Sequence, residues 1–360
     1  METCNTKDFW HSWKSLYNKN CSRFAPVVDG CTAKPAIAES FKKSFMKNCR
    51  PNNSSKVNEL NARFTDKYSE FCSNHDSSCN CHEFKISLTQ VIDAICGMKP
   101  GKCADEDGLS AEHFHNAPLS LFTRLTALFN MMLVHAFVPN QFRLGFMIPI
   151  VKDSRGNHSD VGNYRGITIS PVVSKIFEHV LKSLFCSQLS TSKYQFGFKE
   201  KKSTSHALHC LRETIDYYIS NGSQVFCSFL DASKAFDRLV HSGLFLKLMD
   251  RNVPKVFLDI IMTWHDGLMC RVKWDNVFSA WFSITAGVRQ GGVLSPDFYS
   301  IYVDELISIL QRAGIGCHIR GVFAASLLML TIWQCSPLPS KDYNEFSICV
   351  MNIVSNGTFS

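Results

Sequence analysis

The most constraining feature of this chain lies between residues 225 and 237, where an apolar run from Val225 to Leu230 ends on Asp231 and is followed by Phe236 and Asp237. A short apolar run of this kind predicts a buried strand. An acid at a strand end is held rigidly with its carboxylate facing a cleft, which suits a Mg²⁺ ligand. Taken alone, an aspartate that caps the following turn explains the same residues more simply.

Two other stretches carry chemistry-bearing residues. Ala286-Gly-Val-Arg289-Gln290-Gly291-Gly292 leads into Ser295-Pro296. Its consecutive glycines let backbone approach a ligand closely, and Arg289 and Gln290 place donors beside it. A tight turn before a proline-initiated helix accounts for the glycines equally well, but leaves the Arg-Gln pair over. The other stretch pairs Ile148-Pro-Ile-Val-Lys152 with Asn163-Tyr164-Arg165-Gly166-Ile167. A lysine and an arginine at adjacent strand ends make a clamp for a triphosphate. Surface cations on a hairpin are the plainer alternative.

Local signals around these stretches predict an α+β fold. Pro35 opens a helix with Ile37, Phe41 and Phe45 on one face, and Ser87 with Gln90 forms a capping box before Val91, Ile95 and Met98. A glycine-rich charged loop then leads to a helix through Leu121, Leu125, Leu128 and Met132. Leu144, Phe146, Ile148 and Ile150 alternate as a strand does, and Pro149 within it points to an edge. Ser170 and Pro171 are expected as N-cap and first-turn proline of a helix that turns Ile176, Phe177, Val180, Leu181 and Leu184 inward. Helices are further expected near Ser242–Arg251, after Pro254, and after Pro296 with Tyr299, Val303, Leu306 and Leu310 aligned; a hairpin turns at Asp275–Asn276.

Composition bounds the setting. The net charge of +7 suits a polyanionic partner, and equally a soluble protein that is merely basic. The 16 cysteines are scattered, the start METCNTKDFW lacks the apolar segment of a secretory signal, and no stretch is apolar for long enough to span a bilayer. Reduced thiols in the nucleus or cytoplasm, outside the secretory route and away from any membrane, are the expectation. Cys72, His75, Cys79, Cys81 and His82 are zinc-ligand types, but their spacing lacks the paired form of a zinc site.

In their order and spacing the three stretches together resemble the reverse transcriptases of LINE-type (non-LTR) retrotransposons, over about residues 90–328. FLDASKAFD corresponds to that family's first palm motif, GVRQGGVLSP to the second, and NYRGI to a fingers motif. The resemblance implies a right-hand polymerase fold with complete fingers, an incomplete palm and no thumb. It divides the chain into a polar linker region (1–86), fingers (87–222), palm (223–328) and a tail (329–360). It implies RNA template, DNA primer and dNTP as partners, with no stable protein partner evident, and Mg²⁺ or Mn²⁺ held by Asp231 and the carbonyl of Ala232. Phe236 would exclude a 2′-hydroxyl. Lys152 and Arg165 would grip the triphosphate, and Arg289, Gln290 and Gly291 would line the nucleotide. Gln195, Gly197, Ser203 and Thr204 match a segment that contacts template and primer.

One part of the pattern is missing. The family's third palm motif carries two aspartates, but after Gly321–Leu328 the chain reads MLTIWQCSP, and no acid occurs between Glu305 and Asp342. Residues 329–337 can be encoded ATG CTG ACG ATT TGG CAG TGC TCT CCC; one T restored ahead regroups this to Tyr-Ala-Asp-Asp-Leu-Ala-Val-Leu-Ser. The tail therefore reads as out of frame, and the chain as an RNA-directed DNA polymerase by lineage that is inactive as written. A non-catalytic nucleic-acid-binding protein and a functionless pseudogene product are the alternatives.

Overall fold

The computed structural model of the chain describes residues 25–51, 54–75, 84–231, 234–312, 318–319, 322–323, 326–330 and 346–354. Its helices are α1 (Lys34–Asn48), α2 (Ser54–His75), α3 (Leu88–Cys96), α4 (Ala111–His115), α5 (Leu119–Val134), α6 (Asn140–Arg143), α7 (Val172–Leu184), α8 (Thr204–Ser220), α9 (His241–Asp250), α10 (Lys255–His265) and α11 (Ser295–Arg312). The strands are β1 (Leu144–Val151), β2 (Tyr164–Ile169), β3 (Gln224–Asp231), β4 (Met269–Trp274), β5 (Val277–Phe278), β6 (Phe282–Ser283), β7 (His318–Ile319), β8 (Val322–Phe323), β9 (Ser326–Leu330) and β10 (Phe346–Val354). The content is mixed α+β. None of the described helices is long and apolar enough to cross a membrane.

A sheet of order β2-β1-β4-β5, with β6 also on β4, positions the cationic strand ends. β1 and β2 run antiparallel with Ile150 opposite Arg165, while β1 and β4 are parallel over Leu144–Met147. α1 covers one face, where Phe41 meets Tyr164 and Trp274 with ring centroids 4.8 and 5.0 Å apart. That covering decides which side of β1 is buried. Met147 and Pro149 are buried, and of the alternating set Phe146 is buried while Leu144, Ile148 and Ile150 stay half-buried. Pro149 also corrects the edge expectation: β1 is internal, and the proline sits beyond the stretch that β4 pairs.

The polar region expected to be a linker contributes α1 and α2 to the core. Polar composition hides the apolar stripe of α2, in which Phe64 stacks on Tyr68 and meets Phe245, and Tyr68 donates to Asp259 at 2.8 Å. α7 runs through the interior with Ile176, Phe177, Val180 and Leu181 buried; the Phe177 ring lies 4.9 Å from Phe129 and stacks on Trp264 at 5.6 Å. Ser170 does not cap this helix. The residue before it is Pro171, and the first helical amide, Val172 N–H, donates to Asp105 at 2.8 Å. The other carboxylate oxygen of Asp105 accepts from the amides of Asp107 and Leu109. One acid in the charged loop thus folds its own turn and caps a distant helix.

The remaining signals are largely local, and the elements follow them. Ser87 and Gln90 close the capping box on α3, and Asp275, at φ 55°, turns the β4–β5 hairpin. On α11 the buried apolar residues are Phe298, Tyr299, Ile301 and Ile307; of the expected stripe, Val303, Leu306 and Leu310 are only partly covered. A separate antiparallel sheet has the order β3-β10-β9, with Asp231 opposite Ser347 and Ser347 opposite Met329. A main-chain ladder of this kind makes no demand on side-chain identity.

Asp105→Ala removes three acceptor contacts at once. It should lower the unfolding free energy by about 2 kcal/mol, read as a lower urea midpoint at unchanged slope; Asp105→Asn should recover part of the loss.

Candidate functional site

The turn over residues 286–292 lies between the segment that follows β3 and the free edge of β2. On one side Gly287 N–H donates to the Leu239 carbonyl at 2.6 Å and Val288 N–H to the Phe236 carbonyl at 2.8 Å. Gly287 has φ +90°, and a Cβ there would stand 2.6 Å from the Asp237 carbonyl oxygen. On the other side Thr168 N–H donates to the Gln290 carbonyl at 2.7 Å, and a Cβ on Gly291 (φ +121°) would stand 2.6 Å from the Thr168 carbonyl oxygen. No L side chain is accommodated at either position without displacing backbone. The close approach that these glycines permit is to the protein's own backbone.

Arg289 points away from the cleft. Its side chain is buried and donates to the Phe142 carbonyl at 2.7 Å beside Glu178 of α7, whose carboxylate accepts from the Val293 and Leu294 amides. Burial raises the Glu178 carboxyl, against the pull of Arg289, and lowers the arginine. Arg289, expected to line the nucleotide, is therefore an internal strut tying the turn to the Phe142 carbonyl of α6. Behind it His241 pairs with the Gly287 carbonyl at 2.7 Å, and burial brings the neighbouring His265 down to about 3.

Gln290 turns the other way, and its side chain donates from Nε2 to Asp237 at 2.7 Å. The charges of Lys234, Arg165 and Lys152 act on that carboxylate, while Lys152 Nζ donates to the Gly162 carbonyl at 2.8 Å and Lys234 Nζ to Asn48 at 2.7 Å. Burial, and then the charges of Arg165 and Lys234, hold Lys152 below the usual lysine range. Burial likewise lowers Arg165, which Asp237 partly offsets. Burial raises Asp237, against the hydrogen bond from Gln290 and the charges of Lys234, Arg165 and Lys152. Three cations around one carboxylate leave an excess of positive charge, an environment that favours a phosphate-bearing ligand. Phe236 closes this place from below, stacked on Tyr299 with centroids 5.1 Å apart and edge-on to Phe198 at 5.6 Å.

The structure brings Lys152, Arg165, Phe236 and Gln290 into one neighbourhood, together with Lys234 and Asp237, which sequence reasoning did not single out. Both lie inside the first palm motif, and their positions in it were the only available signal. Gln195 and Gly197 are buried, with Gln195 donating to the Ser300 carbonyl at 3.4 Å, so they pack against α11 and offer no surface to a nucleic acid. Ser203 and Thr204 are exposed, and Ser203 caps α8 by accepting from His206 N–H at 3.3 Å. Asp231 closes β3; Ala232 lies outside the described residues, as do Cys79, Cys81 and His82. Among the described residues no three His, Cys, Asp or Glu side chains are grouped to hold a metal ion.

Residues 150–323 match the family described as reverse transcriptase (RNA-dependent DNA polymerase). The probable RNA-directed DNA polymerase from transposon X-element of Drosophila melanogaster is 24% identical to this chain, covering 85% of it and 34% of that protein. The RNA-directed DNA polymerase from mobile element jockey of Drosophila funebris is 29% identical, covering 69% of this chain and 28% of that protein. The chain thus spans about a third of the length of these relatives. A solved structure of apo telomerase from Candida tropicalis is 15% identical with a TM-score of 0.39, covering 65% of this chain and 49% of that one.

The internal strut makes a specific demand. Arg289→Ala leaves the buried Phe142 carbonyl without its charged donor and should cost about 1–3 kcal/mol in urea unfolding, whereas Arg289→Lys, which keeps a charged donor, should cost less.

Proposed function

We propose that this chain, a relative of the LINE-type retrotransposon polymerases that carries a reverse transcriptase domain over residues 150–323, is the fingers and upper palm of a right-hand RNA-directed DNA polymerase. It binds nucleoside triphosphate and primer–template but, as written, does not join them. The cluster of Lys152, Arg165 and Lys234 about Asp237, with Phe236 beneath and Gln290 beside it, carries this reading. Cations in excess suit the triphosphate, and an aromatic ring under the sugar suits a gate against the 2′-hydroxyl. On this reading 87–222 are fingers, 223–328 palm, and 329–360 an out-of-frame tail.

The loss of chemistry rests on the sheet β3-β10-β9. Two divalent cations that align a primer hydroxyl and a leaving pyrophosphate need several carboxylates. Asp231 ends β3, but its partner in register is Ser347, which Met329 faces from the other side, and neither described β9 nor β10 contains an acid. The donor set present does not fit a pair of divalent ions, and no bond-forming step is assigned to this chain.

Binding tests the reading. Lys152→Ala and Arg165→Ala should each weaken dATP binding about tenfold and leave RNA–DNA duplex affinity nearly unchanged. Duplex affinity itself should fall steeply with salt as counterions are released. Affinity that ignores salt, or no binding at low salt, contradicts a retained nucleic-acid groove.

A further inference from the structure

Asp237 is the acid on which the charges of Lys234, Arg165 and Lys152 converge, and its position has a consequence for Gln290. A carboxylate only accepts hydrogen bonds, whereas a glutamine amide has a donor end and an acceptor end. Because Gln290 Nε2 donates to Asp237 at 2.7 Å, the donor end is committed and the carbonyl end is turned away from the acid. The amide cannot flip without setting oxygen against oxygen. The backbones that bring these side chains together are pinned separately, by Val288 N–H on the Phe236 carbonyl and by the close pass of Gly287 over Asp237. The side-chain pair is therefore an addition to a junction that is already closed. Gln290 is only half-buried.

We propose that Asp237 is a positioning and specificity-determining residue: it fixes the Gln290 amide so that the turn offers a hydrogen-bond acceptor to the nucleoside part of a bound nucleotide, and its charge weakens the hold of the three cations on bare polyphosphate. This rests on the nucleotide-binding reading above. An acceptor held in one orientation meets a hydroxyl or amino group, which a nucleoside has and a polyphosphate lacks. The carboxylate opposes any polyanion, so only ligands that also satisfy the amide are retained. One side chain thereby separates nucleotides from free polyphosphate in a site whose cations alone would bind both.

The test is calorimetric titration of the 360-residue chain with dATP and with tripolyphosphate, each with Mg²⁺. In Asp237→Asn the new amide can meet Gln290 in either sense, so orientation and charge are lost together. Tripolyphosphate affinity should rise about threefold while dATP affinity falls about threefold, and the preference for dATP should drop about tenfold. Combining Asp237→Asn with Gln290→Glu reverses donor and acceptor and returns the negative charge, and should restore most of the preference and of the thermal midpoint. A merely structural role would weaken both ligands in parallel with the midpoint and leave their ratio unchanged; that result, or no rescue by the reversed pair, overturns the positioning role alone. If the native chain binds neither ligand, the nucleotide reading falls, and this role with it.

Discussion

The turn over residues 286–292 joins the segment after β3, the free edge of β2 and the helical interior, and it is held from three directions. Gly287 and Val288 lie on the backbone after β3, Gln290 and Gly291 continue the ladder at the open edge of β2, and Arg289 is driven into the interior against Glu178 and the Phe142 carbonyl. Each contact requires a different property: absence of Cβ at two positions, a long cation at one, a planar amide at another. Because side chains alternate in direction along this stretch, satisfying the interior with Arg289 leaves Gln290 directed at the site. The chemistry offered to a ligand is a by-product of how the junction is closed.

A buried charge is tolerated only when its partner is in place, and that ties the junction to α7. Glu178 receives the guanidinium neighbour and two amides from the turn's far end, so the start of α11 is registered against α7 by one carboxylate. Asp105 plays a comparable part at the other end of α7, where it caps the helix that Ser170 leaves uncapped. The core around Phe177, Trp264 and Phe142 supplies the burial free energy, while these two acids determine where the helix sits along its axis.

What was legible in the sequence was what is decided locally. The Ser87–Gln90 box, Pro35 and the Asp275–Asn276 turn involve neighbours in the chain, and each formed where its residue types predict. The direction of Arg289 was not legible, because Phe142 lies 147 residues away. Nor was the cap of α7, whose donor and acceptor are 67 residues apart. α2 escaped because Asn, Ser and Lys surround an apolar stripe that only Phe245 and Asp259 reveal. The residues recognised by motif converge, yet the same motif conceals two directions: Gln290 faces Asp237 and its neighbour Arg289 the interior. A linear pattern records which residues are present and is silent on which way they face.

The centre of this account is the proposal that a nucleotide-binding cluster stands beside a sheet whose described strands β9 and β10 carry no acid, and primer extension tests it most directly. A DNA primer on an RNA template, with all four dNTPs and Mg²⁺ or Mn²⁺, should remain unextended by this chain at concentrations that saturate dATP binding. Templated incorporation that disappears in Asp231→Asn would contradict the account, because it would mean that a working metal site is assembled from residues other than a second carboxylate pair.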